Sequence, residues 1–233
     1  MSLTVLCPTR GRPAAAAGAY ASFRDTRALA DSQMFFVIDA DDPEYTHYHD
    51  SPVDGQWLPT IQPSYIRTRG GMTDPLNAAL ESFWTTSDIV GFVGDDHRFR
   101  TPGWDATFSD KLTEVGGGLA FANDGIWSQG EIPTQIFGSS IIWRTLGWMA
   151  LPTARHLYLD NAWRVVGDAL ERLFFFPDVL IEHMHPTVGK GAWDQGYVDV
   201  NTPATYDADG QAFADWLNSG QANADVERVR QAL

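Results

Sequence analysis

Along the chain, hydrophobic positions gather into short runs that end abruptly in polar clusters. Leu3-Thr-Val-Leu-Cys7 is the first, stopped at Pro8, and Met34-Phe-Phe-Val-Ile38 the second, stopped at Asp39-Ala-Asp-Asp42. Runs of this length bounded by turn residues predict buried strands. Between them, Pro13 stands at a first helical position, and the alanine-rich stretch after it predicts a helix to about Ala30. Residues 43–60, with Pro43, Pro52, Gly55 and Pro59, predict a loop, and Ile61 to Ile66 a third strand. Asp74-Pro75 combines an N-cap acid with a first-turn proline and predicts a helix to Trp84. Asp88-Ile-Val-Gly-Phe-Val93 predicts a fourth strand, stopped at Gly94-Asp95-Asp96-His97.

The second half is less regular. Trp104 to Val115 predicts a helix, and Gly118 to Ala122 a strand ending at Asn123-Asp124-Gly125. Ser139 to Trp148 predicts another helix, and Asp160 caps one running through Leu173. Val179 to His185 alternates as a strand, with His183 and His185 on one face. From Thr202 the chain is polar, with two short helical pieces around Phe213 and Val229. Strands alternating with helices predict an α/β fold: a mostly parallel sheet flanked by helices. Ligands bind outside the carboxyl ends of such strands. Pro8-Thr-Arg-Gly-Arg12, Asp39-Ala-Asp-Asp42 and Gly94-Asp-Asp-His97 would then share one edge.

Length and charge narrow the picture. The 233 residues suffice for one substantial core. No apolar run approaches the roughly 20 residues of a membrane span. The longest candidate, Ile136 to Leu151, is broken by Ser139, Ser140, Arg144 and Gly147. The start of the chain lacks the basic and apolar regions of a signal peptide. A single cysteine, Cys7, excludes an internal disulfide and a Cys-based zinc cluster, so a cytoplasmic location is expected. Sixteen Lys and Arg against thirty Asp and Glu give a formal net charge of −14. That balance opposes broad binding to phosphate backbones, though it does not forbid a local basic groove.

Asp95-Asp96-His97 is the strongest chemical signal. Adjacent carboxylates at a strand end repel, and a divalent cation relieves them; oxygen ligands suit Mg²⁺ or Mn²⁺. A capping turn is the other use of such a triplet. His183-Met-His185, shortly after Phe174-Phe-Phe176, offers further ligands, or packed histidines. In Pro8-Thr9-Arg10-Gly11-Arg12 the glycine permits a sharp turn, and the arginines suit phosphates or an exposed turn. Asp39 can accept from a base imide or a ribose hydroxyl. Lys190, in Gly189-Lys-Gly191, suits either donor phosphates on a closing loop or a plain exposed turn. Neither Gly-x-Gly-x-x-Gly nor a P-loop is present, which weakens dinucleotide and ATPase readings.

These motifs, in this order over about residues 3–186, resemble the GT-A glycosyltransferases. More narrowly they are similar to the inverting family that includes many small bacterial and phage sugar transferases. The resemblance implies a Rossmann-like GT-A domain over 1–201, with a nucleotide-sugar half (1–115), an acceptor and catalytic half (116–201) and a helical tail (202–233). It implies transfer from a nucleotide diphosphate sugar, UDP-linked, with Mn²⁺ or Mg²⁺. Pro8, Thr9, Arg10, Arg12, Asp39, Asp95 and Lys190 would hold the donor. The metal ligands would come from Asp96, His97, His183 and His185, with Gly94-Asp-Asp96 and Asp95-Asp-His97 as alternative registers of the motif. An acid at a helix start in the second half serves the family as base, which points to Asp160 and secondarily to Asp124. Trp193 could stack on a sugar or base. The acceptor classes are a hydroxymethylated pyrimidine in phage DNA, a protein and a glycan or metabolite. For DNA, Arg67, Arg69, Arg98, Arg100, Arg144 and Arg155 would line a groove. Two rivals are a nucleotidyltransferase, which would bring lysine to the region Thr4–Pro13 where none occurs, and a non-catalytic binding module.

Overall fold

The computed structural model describes residues 1–39, 41–50, 58–61, 71–127 and 130–233. Its strands are β1 (Leu3–Thr9), β2 (Ser32–Ile38), β3 (Thr60–Ile61), β4 (Ile89–Phe92), β5 (His97–Phe99), β6 (Leu119–Asn123), β7 (Ile136–Ser139) and β8 (Leu173–His183). Its helices are α1 (Pro13–Thr26), α2 (Tyr45–Asp50), α3 (Thr73–Glu81), α4 (Trp104–Glu114), α5 (Ser140–Leu146), α6 (Leu159–Leu170), α7 (Gln195–Val200), α8 (Pro203–Asn218) and α9 (Gln221–Ala232).

The strands join in the order β3-β2-β1-β4-β7-β6-β8-β5. β3, β2, β1 and β4 are parallel neighbours, as are β6 and β8. β7 runs against both β4 and β6, and β5 runs against β8. The expected mostly parallel sheet thus has two reversed strands. Neither was anticipated: Ile136–Ser139 is only four residues and passes directly into α5, and His97–Phe99 is only three. β8 begins at Leu173 rather than Val179. Its first residues lie beside β6, and Ile181–His183 lie beside β5.

Strand periodicity divides the core in two. Leu3, Val5 and Cys7 face one layer with Phe23 of α1 and Trp104 and Phe108 of α4. Leu6 faces the other, with Leu76 and Leu80 of α3, Trp143 of α5, Trp163 of α6 and Val229 of α9. β1 and β4 are buried on both faces, which is why they read as continuous apolar runs. Gly91 is required at the sheet centre: a Cβ there would come within 2.3 Å of the Phe137 ring.

Several boundaries differ from expectation for local reasons. α1 ends at Thr26 because Asp105 accepts the amides of Ala28 and Leu29, at 2.8 and 2.9 Å, and draws the chain out of the helix. Residues 45–50, expected as loop, form α2, anchored by the buried Tyr48. α3 starts at Thr73, with Asp74 in its first turn rather than at its cap. α6 is capped by Tyr158 in the left-handed region; Asp160 lies in its first turn, and the helix stops at Leu170. α8 and α9 are longer than the two expected pieces and bury Trp216, Val226 and Val229 against the second layer. Of the expected third strand, residues 62–66 lie outside the described residues, as do Arg67 and Arg69. No described helix is long and apolar enough to cross a membrane.

Candidate active site

The carboxyl ends of β1, β2 and β4 do converge. Parallel pairing in register places Thr9 beside Ile38, and Leu6 beside Phe92, so the segments that follow share one edge. Gly11, at φ +67°, turns the chain after β1, and its amide donates to Asp42 Oδ2 at 2.9 Å. Arg10 pairs with Asp39 at 3.1 Å and with Asp41 at 2.6 Å. The Tyr48 hydroxyl lies 3.3 Å from Thr9 Oγ1 and accepts from the Arg12 amide at 3.0 Å. Tyr48 therefore organises the turn after β1, a role hidden in a segment that reads as loop.

The acidic pair splits by direction. Asp95 turns inward, accepting from the Thr9 hydroxyl at 2.7 Å and from Arg12 Nη1 at 3.2 Å. Burial pushes its carboxyl up to about 6, against the opposing charge of Arg12. Asp96 turns toward the histidines. Its Oδ2 lies 3.1 Å from His183 Nε2 and accepts from the Tyr197 hydroxyl, while Oδ1 lies 3.2 Å from His97 Nδ1. Burial alone would raise this carboxyl; the adjacent His183 and His97 imidazoles hold it well below the ordinary aspartate range. His97 is pushed down by burial and then by His183.

The two imidazoles stack, with centroids 4.3 Å apart, because β5 and β8 pair His97 directly with His183. His97 Nδ1 also accepts from the Gly94 amide at 3.1 Å. His97 Nε2 and His183 Nδ1 are buried without a hydrogen-bond partner among the described residues. One ligand atom each from Asp96, His97 and His183 falls within 4.8 Å of the others. A carboxylate and two imidazoles with incompletely satisfied nitrogens fit a divalent cation. The nitrogen content suits Mn²⁺ better than Mg²⁺, which prefers oxygen and water.

His185 stands outside this cluster. Its Nδ1 accepts from the Thr187 amide at 3.1 Å, and its ring meets Trp127, Trp193 and Tyr197 edge-on. Residues 194–197 close over the Arg12 end of the site. Asp194 binds Arg12 Nη2 at 2.6 Å, and the Tyr197 ring lies 4.6 Å from the Arg12 guanidinium. Burial works against the Arg12 charge, but Asp194 and Asp95 together raise its pKa. Asp194 and Tyr197 carry no sequence signal; only the tertiary fold brings them to Arg12 and Asp96.

A cleft of about 790 Å³ runs from this cluster to the start of α6. Pro8, Thr9, Arg10 and Arg12 line it, as do Asp95, Asp96, His97, His183 and His185. Asp160 lines its far part; its Oδ1 accepts from the Asn161 amide at 2.9 Å, and burial raises its carboxyl. Asp124 is fully buried and is not among the lining residues. Its carboxylate accepts the amides of Ile126 and Trp127 and the Thr134 hydroxyl, at 2.7, 2.8 and 3.0 Å. Lys190 also lies outside the lining, paired with Glu182 at 2.7 Å.

No protein-family model matches the chain, and no curated protein sequence is similar to it. Solved structures are similar in shape. The chain aligns with residues 1–349 of Staphylococcus aureus TarS in complex with UDP, at 12% identity and TM-score 0.60, covering 94% of this chain and 72% of that one. It aligns with the Pyrobaculum calidifontis mannosyltransferase PcManGT in complex with GDP-Man and Mn²⁺, at 16% identity and TM-score 0.60, covering 99% and 73%. It also aligns with Mycobacterium tuberculosis glucosyl-3-phosphoglycerate synthase in complex with Mn²⁺, UDP and phosphoglyceric acid, at 14% identity and TM-score 0.54, covering 84% and 76%. The chain thus has the GT-A fold.

Proposed function

We propose that the chain is a metal-dependent glycosyltransferase that moves a sugar from a nucleotide diphosphate sugar to an acceptor hydroxyl. One observation carries the reading. A single cleft joins the Asp96, His97 and His183 cluster at the end of β4 to Asp160 at the start of α6. Thr9, Arg12 and Asp95 would hold the nucleotide end of the donor. A divalent cation at Asp96, His97 and His183, Mn²⁺ by its ligand chemistry, would supply charge to the departing diphosphate.

Asp160 is the base of this scheme. Its raised carboxyl is better matched to proton transfer near neutrality than an ordinary aspartate. The acceptor oxygen forms a bond to the anomeric carbon as that carbon's bond to the diphosphate oxygen breaks. The acceptor proton passes to Asp160 and then to solvent, leaving the glycoside and a nucleoside diphosphate. One base and one direct displacement give inversion. UDP is the nucleotide of choice because TarS and the glucosyl-3-phosphoglycerate synthase carry it, although PcManGT carries GDP-Man.

A duplex DNA acceptor has little support. Arg98 donates inward to the carbonyls of Asp95 and His97, and Arg100 pairs with Glu182. Arg144 is absent from the cleft lining, so Arg155 is the one described member of the six expected arginines that lines it. A smaller acceptor fits better. The test is a panel of nucleotide sugars scored by thermal shift with and without Mn²⁺, followed by mass analysis of donor breakdown. Manganese-dependent stabilisation and release of a nucleoside diphosphate by at least one donor are expected. No response to any donor would overturn the reading.

A further inference from the structure

Beneath the far wall of the cleft, α8 supplies a carboxylate that is spent on backbone. Asp209 is only 1% exposed. Its Oδ1 accepts the Arg155 amide at 2.9 Å, and its Oδ2 accepts the amides of His156 and Leu157 at 2.9 and 2.8 Å. From the other side, the Arg155 carbonyl accepts from the Thr73 amide at 3.2 Å. Gly71, at φ +100°, packs so closely that a Cβ would come within 2.2 Å of that carbonyl oxygen. The chain then passes through Tyr158 at φ +62°, whose ring stacks on Phe213 of α8 with centroids 5.6 Å apart. A buried carboxylate is costly to desolvate, and a non-glycine residue at positive φ persists only where its surroundings hold it. Both features here fix one short segment, residues 155–158.

That segment presents Arg155 to the cleft on the wall that carries Asp160. The other two arginines lining the cleft are each taken by two aspartates: Arg10 by Asp39 and Asp41, and Arg12 by Asp95 and Asp194. The exposed Arg155 side chain makes no hydrogen bond or ion pair with the described residues. On a chain of net charge −14, an unpaired arginine whose backbone is fixed at the cleft, five residues before Asp160, is a specific feature. Its planar fork matches phosphate and carboxylate oxygens two at a time.

We propose that Arg155 is the anchor for an anionic acceptor, one that carries a phosphate or carboxylate group near the hydroxyl to be glycosylated, and that Asp209 is its positioning residue. The role as acceptor anchor rests on the glycosyl-transfer reading; the anion site itself does not. Inorganic phosphate, titrated calorimetrically into the full chain without donor or metal, tests the site directly. Saturable binding is expected, weakened about 10- to 100-fold in Arg155→Ala, the range for losing a charge-assisted hydrogen-bonded pair. Arg155→Lys should fall between the two, and Arg144→Ala, at an exposed arginine outside the cleft lining, should match the parent. Asp209→Asn should weaken phosphate in the same direction and, with an active donor, raise the KM for glycerol 3-phosphate more than it lowers kcat. If Asp209→Asn fails to fold, the Arg155 pair still decides the matter. No saturable binding in the parent, or equal binding in Arg155→Ala, overturns the proposal. With the anchor confirmed, glycerol 3-phosphate should be glycosylated in preference to glycerol; the reverse preference sinks the acceptor role alone. Failure of every donor to turn over would instead count against glycosyl transfer and leave the phosphate result standing.

Discussion

Tyr197→Phe tests how the segment over Arg12 and the candidate metal ligands share one carboxylate. Asp96 Oδ2 already has two partners, the Tyr197 hydroxyl and His183 Nε2. Burial and the charge of Asp96 raise the Tyr197 phenol, so it stays a donor at any practical pH. A cation that takes Asp96 must compete with that bond. A hydrogen bond to a charged group contributes about 1.5–3 kcal/mol, so its full loss on binding weakens the cation roughly 10- to 100-fold. Tyr197→Phe removes the competitor while His183 still faces Asp96 Oδ2, so no buried oxygen is stranded. The variant should therefore bind Mn²⁺ more tightly, with 100-fold as the upper bound. The remaining Arg12–Asp194 pair, partly exposed on both sides, adds little. Calorimetric titration of Mn²⁺ into both proteins measures the effect. Equal or weaker binding by Tyr197→Phe would show that the hydroxyl supports the metal site, and the competition argument would fail.

Two further outcomes follow from the same geometry. Asp96→Ala should lower Mn²⁺ affinity by more than ~100-fold and abolish turnover while the protein stays folded, since Asp96 is the carboxylate common to both histidines; turnover that survives both this change and a chelator would refute the ligand assignment. Asp160→Asn should abolish transfer yet keep donor affinity. Because burial raises the Asp160 carboxyl, the folded chain holds its proton more tightly than the unfolded chain does. Its contribution to stability is present at low pH and lost as pH rises through the folded value. Denaturant unfolding at about pH 8 should accordingly find Asp160→Asn no less stable than the parent, and the parent's activity should decline on its acid side from above the ordinary aspartate range; a clear loss of stability in the variant would mark Asp160 as structural.

Much of the sheet-edge half of the candidate site was legible because it depends on local order. Buried parallel strands read as apolar runs, and the polar clusters that stop them, Pro8 to Arg12 and Gly94 to His97, must lie at the sheet's carboxyl edge once the strands are parallel. His183 was legible for a similar reason: alternation marked its strand. What alternation could not supply is the partner strand, three residues long, that stacks His97 on His183 rather than on His185. The triplet's split was equally hidden. Asp95 and Asp96 are neighbours in sequence, yet one turns to Thr9 and Arg12 while the other turns to the histidines. Asp124 shows the converse. Its position after a strand suggested chemistry, but a turn that needs three donors satisfied takes its carboxylate.

The least legible contributions come from late in the chain, and they act at both ends of the cleft. Asp194 and Tyr197 reach back across the sheet to Arg12 and Asp96, and Asp209 reaches under the wall that bears Arg155 and Asp160. None of these residues sits in a motif, because each acts through a partner more than fifty positions away. The polar composition after Thr202 also disguised two helices, since each buries only a narrow stripe, Trp216 on α8 and Val226 and Val229 on α9. That stripe is enough to dock α9 against α5 and α6 and to hold α8 where Asp209 can serve the cleft. A carboxylate placed there is useful only if the helix carrying it is fixed, so the apolar stripe and the buried acid form one device. The stripe supplies the position, and the acid converts it into the geometry of residues 155–158, from which α6 and Asp160 begin.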